Sequence, residues 1–272
     1  MKSSSRRFVP TLISGLVASV LALAMPLAAS AQTSAPTKPT VVLVHGAFAD
    51  SSSWNGVIER LQAKGYTVVA APNELRSVAS DAATVHSLVQ SIHGPVVLAG
   101  HSYGGSVIST AASGLDNVKA LVYVAAFAPD VGESAGELAG RFPGGTLGPA
   151  LAPAVPLADG GKDLYIQQDK FRAQFAADVP AAQAALMAAG QRPITEAALN
   201  EASTSAAWKN IPSWFVYGKA DLNIPAAAQA FMAERAHSRK TVVINGASHV
   251  VMVSHPAAVA KLIEEAADST QQ

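Results

Sequence analysis

The chain has 272 residues, its 19 basic and 19 acidic side chains cancel, and it contains no cysteine. Half of its residues are hydrophobic and only 14% are charged, which is too apolar for a disordered chain. The length suits one large domain or two small ones. The absence of cysteine excludes disulfides, thiolate metal sites and a cysteine nucleophile. The balanced charge argues against nucleic acid as a main partner.

The first 31 residues have the pattern of a secretory signal peptide. A basic start precedes an apolar stretch, and Ala29-Ser30-Ala31 then provides a cleavage pattern. We therefore expect cleavage after Ala31, a linker over residues 32–39, and a periplasmic or secreted protein. An uncleaved anchor of similar length is the alternative. No later segment predicts a membrane span, because Gly, Pro and Ser interrupt the longest uncharged stretch.

From residue 40 onward, short apolar runs alternate with longer runs that have apolar residues at helical spacing. The predicted strands are Thr40–Val44, Tyr66–Ala70, Pro95–Ala99, Val118–Ala125, Ser213–Tyr217 and Lys240–Ile244. The predicted helices are Ser51–Lys64, Ser77–Ile92, Tyr103–Ser113, Pro225–Ala236 and Pro256–Ala267. This alternation predicts an α/β domain over residues 40–272, with a mostly parallel sheet of about six strands flanked by helices. The pattern breaks over about residues 129–210, which predicts an inserted helical cap.

The strongest chemical signal is the sequence GHSYGG at residues 100–105, between a predicted strand and a predicted helix. This is the pattern G-x-S-x-G in the strand–turn–helix context that gives it meaning. Small neighbours allow a strained turn to lift the Ser102 hydroxyl clear of the sheet, where it can act as a nucleophile. The turn also directs the Tyr103 amide at the reacting centre. His101 is expected to face away from it.

A second donor for the oxyanion is expected from HGAF at residues 45–48, directly after the first strand. The predicted donor is the amide of Ala47, and the amide of Phe48 is the alternative. His45 is interpreted as a structural residue that ties this loop through its ring nitrogens. Phe48 and Tyr103 flank the predicted oxyanion hole, and both are predicted to line the substrate pocket.

A serine nucleophile needs a base with a pKa near neutral and an acid that orients this base. His249 lies in the loop after the last predicted strand and is the predicted base, with His255 as the alternative. Asp221 lies in the short loop after the preceding strand and is the predicted acid. Asp130 also follows a strand and is its rival, unless it forms a turn or caps a helix. We expect Ser102, His249 and Asp221 to lie within hydrogen-bonding reach in series.

Together, these motifs resemble the α/β-hydrolase superfamily. The resemblance rests on HGAF after the first strand, GHSYGG after the third, GKAD after the fifth and GASH after the sixth, and it covers about residues 39–267. The immediate start at the HG-bearing strand is similar to the compact branch that contains plant methylesterases and hydroxynitrile lyases. The resemblance implies the same triad and oxyanion hole, with no metal or organic cofactor.

The expected function is that of a serine esterase whose partner is a small to medium carboxylic ester. A lyase, a cofactor-free peroxidase or a C–C bond hydrolase with the same triad is the alternative. A lyase of the hydroxynitrile type would be expected to carry a Thr near the oxyanion loop and a Lys near the His loop. The stretches HGAFAD and NGASHVVM contain neither. Aromatic residues of the cap could line the pocket or pack the cap on the core; they are Phe142, Tyr165, Phe171, Phe175 and Trp208.

Overall fold

The structure is a computed structural model that describes residues 8–9 and 38–270. The predicted signal peptide, apart from Phe8 and Val9, and the predicted linker up to residue 37 lie outside the described residues. Every element described below belongs to the unit Pro36–Gln272. Within the part of the chain that the structure describes, no helix is long and apolar enough to cross a membrane.

Strands and helices alternate along most of the chain. The strands are β1 (Thr40–Val44), β2 (Val68–Ala71), β3 (Val96–His101), β4 (Val118–Val124), β5 (Val155–Pro156), β6 (Lys162–Leu164), β7 (Ile194–Thr195), β8 (Ser213–Gly218) and β9 (Lys240–Ile244). The α-helices are α1 (Asn55–Ala63), α2 (Val78–Gln90), α3 (Gly104–Ala111), α4 (Ala135–Gly140), α5 (Leu147–Ala150), α6 (Gln168–Phe175), α7 (Ala181–Gly190), α8 (Glu196–Asn200), α9 (Ala226–Arg235), α10 (Val251–Ser254) and α11 (Pro256–Ser269). Short 3₁₀ turns lie at Ser51–Trp54 and Ala207–Lys209.

Six parallel strands form the central sheet in the order β2-β1-β3-β4-β8-β9. Strand β1 is a nearly continuous apolar run, as expected for a strand that is covered on both faces, and its residues 41–44 have no exposed surface. Helix α1 packs against α11, and α2 packs against α3. The predicted α/β fold with about six strands is confirmed, and the predicted bounds of β1 and β9 agree residue for residue.

The first predicted helix begins differently from the expectation. The sequence pattern predicts one helix over Ser51–Lys64, whereas the structure has a 3₁₀ turn at Ser51–Trp54 followed by α1. The side chain of Asp50 accepts hydrogen bonds from the Ser52 amide at 2.8 Å and from the Ser52 hydroxyl at 2.5 Å. These local bonds favour a tighter first turn than an α-helix has.

The parallel arrangement brings four loops to one edge of the sheet. The carboxyl ends of β1, β3, β8 and β9 lead directly into HGAF, the Ser102 turn, the Asp221 loop and the His249 loop. Open parallel sheets bind their ligands at this edge. The sequence predicts this meeting point because the candidate residues each follow a strand.

The segment between β4 and β8, here called the cap (residues 129–210), contains helices α4 to α8, as the sequence predicts for this stretch. It also contains a small antiparallel sheet, β5-β6-β7, that the sequence pattern does not predict. These strands have two, three and two residues. A strand of that length is too short to show an alternating pattern of apolar residues.

Glu133, at the start of the cap, joins it to α9. Arg235 donates to both carboxylate oxygens of Glu133, at 3.0 and 2.5 Å, and Arg141 pairs with the same group at 2.9 Å. Burial alone would raise the pKa of Glu133, but hydrogen bonds and the positive charge of Arg235 outweigh burial and lower the pKa to about 2 from the usual 4.5. Because the pKa of Glu133 is lower in the folded state than in the unfolded state, its ionised carboxylate stabilises the fold at pH values above the unfolded-state pKa. This stabilisation is lost as the pH falls toward 2.

We expect Glu133→Gln to lower the free energy of unfolding at neutral pH by about 2–3 kcal/mol. The difference from the wild type should shrink in acid, because the wild-type carboxyl is then protonated. Urea unfolding at neutral pH and through the acid range measures both effects. Glu196→Gln is the matched control: it removes an exposed pair with Lys162 and should cost less than about 0.5 kcal/mol. A loss that does not change with pH would contradict the assignment to Glu133.

Candidate active site

Ser102 occupies the turn between β3 and α3, with a backbone φ of +53°. Non-glycine residues rarely adopt this left-handed conformation, which costs about 1–3 kcal/mol and persists only where the surroundings enforce it. The Ser102 carbonyl accepts hydrogen bonds from the amides of Gly105 and Phe127, at 2.9 and 3.1 Å, and the Ser102 amide donates to Ala125. The turn therefore has a fixed shape, and the Ser102 side chain lies at the wall of a cavity.

His249 and Asp221 form a buried pair at this edge of the sheet. The Nδ1–H of His249 donates to Asp221 Oδ2 at 2.7 Å, and neither side chain is more than 1% exposed. Asp221 Oδ1 accepts from the amides of Asn223 and Ile224 at 2.8 and 3.0 Å. Asp221 Oδ2 also accepts from Gln229 Nε2 at 2.9 Å. With four N–H donors the carboxylate is held in one orientation, and the imidazole follows.

Gly218, the last residue of β8, allows the Asp221 loop and the His249 loop to touch. A Cβ atom at this position would lie 2.2 Å from the Ala247 carbonyl oxygen and 2.5 Å from the Ser248 carbonyl oxygen. No residue with a Cβ atom fits such a contact without moving one loop. The glycine in the motif GKAD therefore allows the two loops to approach closely enough for Asp221 and His249 to form a hydrogen bond.

Ser102 and His249 line the same cavity, but their side chains are not hydrogen-bonded to each other. Among the described residues, the Ser102 hydroxyl has no hydrogen-bond partner. The expected series of hydrogen bonds is thus present between His249 and Asp221 and absent between Ser102 and His249. Contacts between nucleophile and base are often long or misaligned in unliganded enzymes and shorten when substrate binds.

The HGAF loop rests directly on the Ser102 turn. A Cβ atom on Gly46 would lie 2.6 Å from Ser102 Cβ and 3.2 Å from the Tyr103 amide nitrogen. Ala47 and Tyr103 are both buried, yet neither amide has a hydrogen-bond acceptor within the described chain. Buried amides without a partner are rare, so two of them beside one serine point to a site for a ligand oxygen.

Other hydrogen bonds fix the remainder of this loop. The Phe48 amide, the alternative donor, already donates to the Arg192 carbonyl at 2.9 Å. The ring Nδ1 of His45 bonds the Gly46 carbonyl at 3.0 Å, and Asn73 Nδ2 donates to the His45 carbonyl at 2.7 Å. Burial lowers the pKa of His45 below its usual value, which favours a neutral ring. These contacts agree with a structural role for His45.

The cavity at Ser102 is small and mostly apolar, with a volume of about 70 Å³. Its lining residues are Ala47, Phe48, Ser102, Phe127, Ala135, Gly136, Ala139, Leu147, Phe175, Leu199, Asn223, Ile224 and His249. The cap thus contributes part of the wall. In the described part of the chain, no cluster of three or more His, Asp or Glu side chains is arranged to hold a metal ion.

The comparison with known proteins identifies the family. Residues 41–262 match the alpha/beta hydrolase family. This chain belongs to the alpha/beta hydrolase family. Its curated relatives include the alpha/beta hydrolase nvfD of Aspergillus novofumigatus (strain IBT 16806). The two sequences are 28% identical over 250 residues, which cover 85% of this chain and 97% of the relative.

Solved structures share the fold of this alpha/beta hydrolase. Polyneuridine aldehyde esterase superposes with a TM-score of 0.73 at 18% identity, covering 84% of this chain and 99% of its own. The methylesterase MES16 from Arabidopsis gives 0.69 at 18% identity, covering 85% and 99%. The resemblance to the superfamily is confirmed by the family match, and solved structures of the methylesterase type share the fold. Family membership and the curated relative support a hydrolase function.

Tyr103 differs from its prediction in this alpha/beta hydrolase. Its side chain is fully buried and its hydroxyl donates to Asp81 Oδ2 at 3.0 Å, so the ring does not line the Ser102 cavity. The prediction of a pocket role for the Tyr103 ring is therefore wrong. The side chain instead reaches Asp81 on α2. Burial raises the pKa of Tyr103 and also that of Asp81.

His101 also differs from its expectation, because its ring does not face away from the site. Its centroid lies 4.7 Å from that of His249, and its Nε2 is 3.3 Å from the His249 carbonyl oxygen. Burial lowers the pKa of His101 well below its usual value, so the ring is neutral. This neutral ring packs against the His249 ring and adds no positive charge beside it.

His255, the alternative base, and Asp130, the alternative acid, make their contacts with other residues. His255 Nδ1 bonds the Ser254 hydroxyl at 2.9 Å and lies 3.5 Å from Asp178. Asp130 pairs with Lys209 at 2.5 Å, and this hydrogen bond lowers the pKa of Asp130. Neither residue lines the Ser102 cavity. Asp130 also accepts from the Val131 amide, which fits the turn interpretation.

Sequence reasoning missed Gln229 and Asp81, which contact the Asp221 carboxylate and the Tyr103 hydroxyl. Each is a polar residue on the buried side of a helix, α9 and α2 respectively. Asp81 lies between apolar residues at helical spacing, which is the signal that could have found it. Of the cap aromatics, Phe175 lines the cavity, and the Trp208 ring donates to the Pro129 carbonyl at 2.8 Å.

Proposed function

We propose that this chain is a serine hydrolase that cleaves small to medium carboxylic esters through an acyl-enzyme. The observation that carries the proposal is the buried His249–Asp221 pair, which opens onto the same cavity as a serine in a strained turn. The two amides without acceptors beside this serine support an oxyanion hole formed by Ala47 and Tyr103.

In the first half of the proposed reaction, Ser102 Oγ attacks the ester carbonyl carbon while His249 takes the hydroxyl proton. The electron pair of the C=O bond moves to the oxygen, where the amides of Ala47 and Tyr103 hold the negative charge. The bond to the alkoxy oxygen then breaks, and His249 protonates the leaving alcohol. Asp221 keeps the imidazole in the required tautomer and stabilises its charged form.

In the second half, a water molecule replaces the alcohol. His249 takes a proton from this water as it attacks the acyl carbon, and the oxyanion forms again between the same amides. Breakage of the bond to Ser102 Oγ returns the proton to the serine and releases the carboxylic acid. The cycle uses only groups of this chain and one water.

Two observations favour esters as the proposed substrate class. Solved structures with this fold include a methylesterase and an aldehyde esterase named for ester cleavage. The cavity at Ser102 is mostly apolar and lacks a basic side chain other than His249, which suits an uncharged acyl group. A cofactor-free peroxidase or a C–C bond hydrolase would use the same triad, so the assay has to separate these activities.

The test combines covalent labelling with substrate assays. A fluorophosphonate should label the wild type at Ser102, located by peptide mass spectrometry, because only an activated serine reacts quickly. A short p-nitrophenyl ester should be hydrolysed with an initial burst, or trapped as an acyl-enzyme at low temperature. A peroxidation assay and a C–C bond cleavage assay on the same preparation measure the two alternative chemistries. Labelling elsewhere, or peroxidation without ester cleavage, would refute the proposal.

Export is part of the proposal and rests on the sequence alone. The basic start, the apolar stretch and the small residues before Gln32 support cleavage after Ala31. The ester-cleaving domain would then act in the periplasm or outside the cell. Amino-terminal sequencing of the exported protein should begin at Gln32.

A further inference from the structure

The loop that carries His249 is held from two sides. On the side of β8, the amide of Ala220 donates to the Ala247 carbonyl at 3.0 Å. On the side of the cap, the hydroxyl of Ser248 donates to the carboxylate of Asp178. The residue directly before the base therefore has its hydrogen-bond partner in the cap rather than in the sheet.

Asp178 lies in the turn after α6, between this loop and the start of α11. Its Oδ1 accepts from Ser248, and its Oδ2 lies 3.5 Å from His255 Nδ1. The side chain is only 18% exposed. Burial alone would raise the pKa of Asp178, but hydrogen bonds, chiefly the one from Ser248, outweigh burial and lower the pKa. The carboxylate is therefore ionised at neutral pH, and an ionised group is a strong acceptor for a hydroxyl.

The same stretch of the cap contacts the base itself. The centroid of the Phe175 ring lies 5.1 Å from that of the His249 ring, and the Phe175 carbonyl oxygen is 3.4 Å from the Ser248 hydroxyl. Ser248 is buried, so its hydroxyl depends on the protein for hydrogen-bond partners. Residues 175–178 thus contact both the imidazole ring and the residue that precedes it.

Other ion pairs join the cap to the rest of the chain. Arg235 pairs with Glu133 at 2.5 Å, and Arg76 pairs with Asp163 at 2.6 Å. Neither pair involves the loop of the base. Loss of the Asp178 carboxylate should therefore loosen that loop without releasing the cap.

We propose that Asp178 of the cap is a positioning residue for His249, and that it acts through the hydroxyl of Ser248. This inference rests on the proposed function, in which the imidazole takes a proton from Ser102 while Asp221 orients it. Displacement of a reacting group by about 1 Å can lower a rate by about 100-fold, so an anchor on the neighbouring residue affects catalysis. Asp178 takes no part in bond making and does not line the Ser102 cavity.

The test is a double-mutant cycle of Asp178→Ala and Ser248→Ala, measured by ester kinetics. Each single variant should lower kcat by about 10-fold and leave KM within about twofold, because alignment of the base matters after the ester has bound. The double variant should be no slower than the slower single variant, because both substitutions remove the same contact. Asp178→Asn should keep kcat within about threefold of the wild type, since its amide oxygen can still accept from Ser248.

A spectroscopic measurement separates alignment of the base from general stability. The proton that His249 Nδ1 donates to Asp221 should give a downfield NMR signal, which is assigned by its loss in His249→Ala. Asp178→Ala should shift or broaden this signal, while urea unfolding shows that the variant is folded. The matched control is Asp169→Ala, which removes an exposed carboxylate from the first turn of α6. It should change neither the kinetics nor the signal.

A second variant keeps the test valid if Asp178→Ala does not fold. Ser248→Ala removes a single hydroxyl from the other side of the same contact, and it should lower kcat and shift the NMR signal in the same way. An unchanged signal together with a lower free energy of unfolding would assign Asp178 a purely structural role and overturn the inference. Additive losses in the double variant would show that the two residues act separately and would also overturn it.

The outcomes separate the inference from the proposed function. Labelling of Ser102 and ester cleavage, with normal kcat in Asp178→Ala and Ser248→Ala, would overturn the positioning role and leave the hydrolase function intact. Absence of both labelling and ester cleavage in the wild type would overturn the proposed function and this inference with it.

Discussion

Replacing Ser102 by alanine is expected to lower kcat for ester hydrolysis on the order of 10⁶-fold. The variant has no oxygen to attack the ester, and the amides of Ala47 and Tyr103 then have no covalent intermediate to stabilise. Alanine keeps the same backbone conformation, so the free energy of unfolding should change by less than about 1 kcal/mol. Steady-state kinetics, fluorophosphonate labelling and urea unfolding measure these three properties. Substantial ester turnover by the variant would contradict the mechanism.

Ser106→Ala provides the matched control for this experiment. Ser106 lies on α3 one turn after the nucleophile and is buried, and its hydroxyl has no hydrogen-bond partner within the described residues. Removal of an unsatisfied buried hydroxyl should not destabilise the protein. Labelling and kcat should therefore stay within about twofold of the wild type.

Asp221→Asn is expected to lower kcat by roughly 10⁴-fold with the protein still folded. The amides of Asn223 and Ile224 donate to Oδ1, so the asparagine oxygen should occupy that position. Its NH₂ group would then replace Oδ2 and face two donors, His249 Nδ1–H and Gln229 Nε2. His249 would have to change tautomer and carry its proton on Nε2. It could then no longer accept the Ser102 proton.

The rival acid supplies the control for this second substitution. Asp130→Asn removes the same charge from a loop after another strand, but Asp130 pairs with Lys209 rather than with a histidine. Its kcat should stay within about twofold of the wild type. Single-turnover kinetics of both variants separate acylation from product release. Equal losses in the two variants would show that charge, rather than contact with His249, is responsible.

Much of the fold was predictable because two independent patterns agree. Strands buried on both faces are continuous runs of β-branched residues, and the loops that follow them carry the polar residues. Parallel strands bring those loops to one edge, so Asp221 and His249 could be assigned from their places after β8 and β9 without knowledge of any distance. The order of serine, acid and base along the chain added a second constraint.

Two of the misses have the same physical cause, because the direction and contacts of a side chain depend on tertiary packing. The sequence places Tyr103 beside Ser102, but only the position of Asp81 on α2 decides that the ring leaves the cavity. The contact between Gln229 and Asp221 joins a helix to a loop eight residues earlier. The strands of the cap are too short to have a pattern of their own.

The division between the sheet edge and the cap has a consequence for how such a protein can diversify. Every group proposed to take part in the reaction lies outside residues 129–210. Residues of the cap, such as Leu147, Phe175 and Leu199, line the cavity. Exchange of that inserted stretch for another would change the cavity wall but none of these reacting groups. The gene could therefore acquire new substrates by recombination within one segment, while the segments that encode the reacting groups are inherited unchanged.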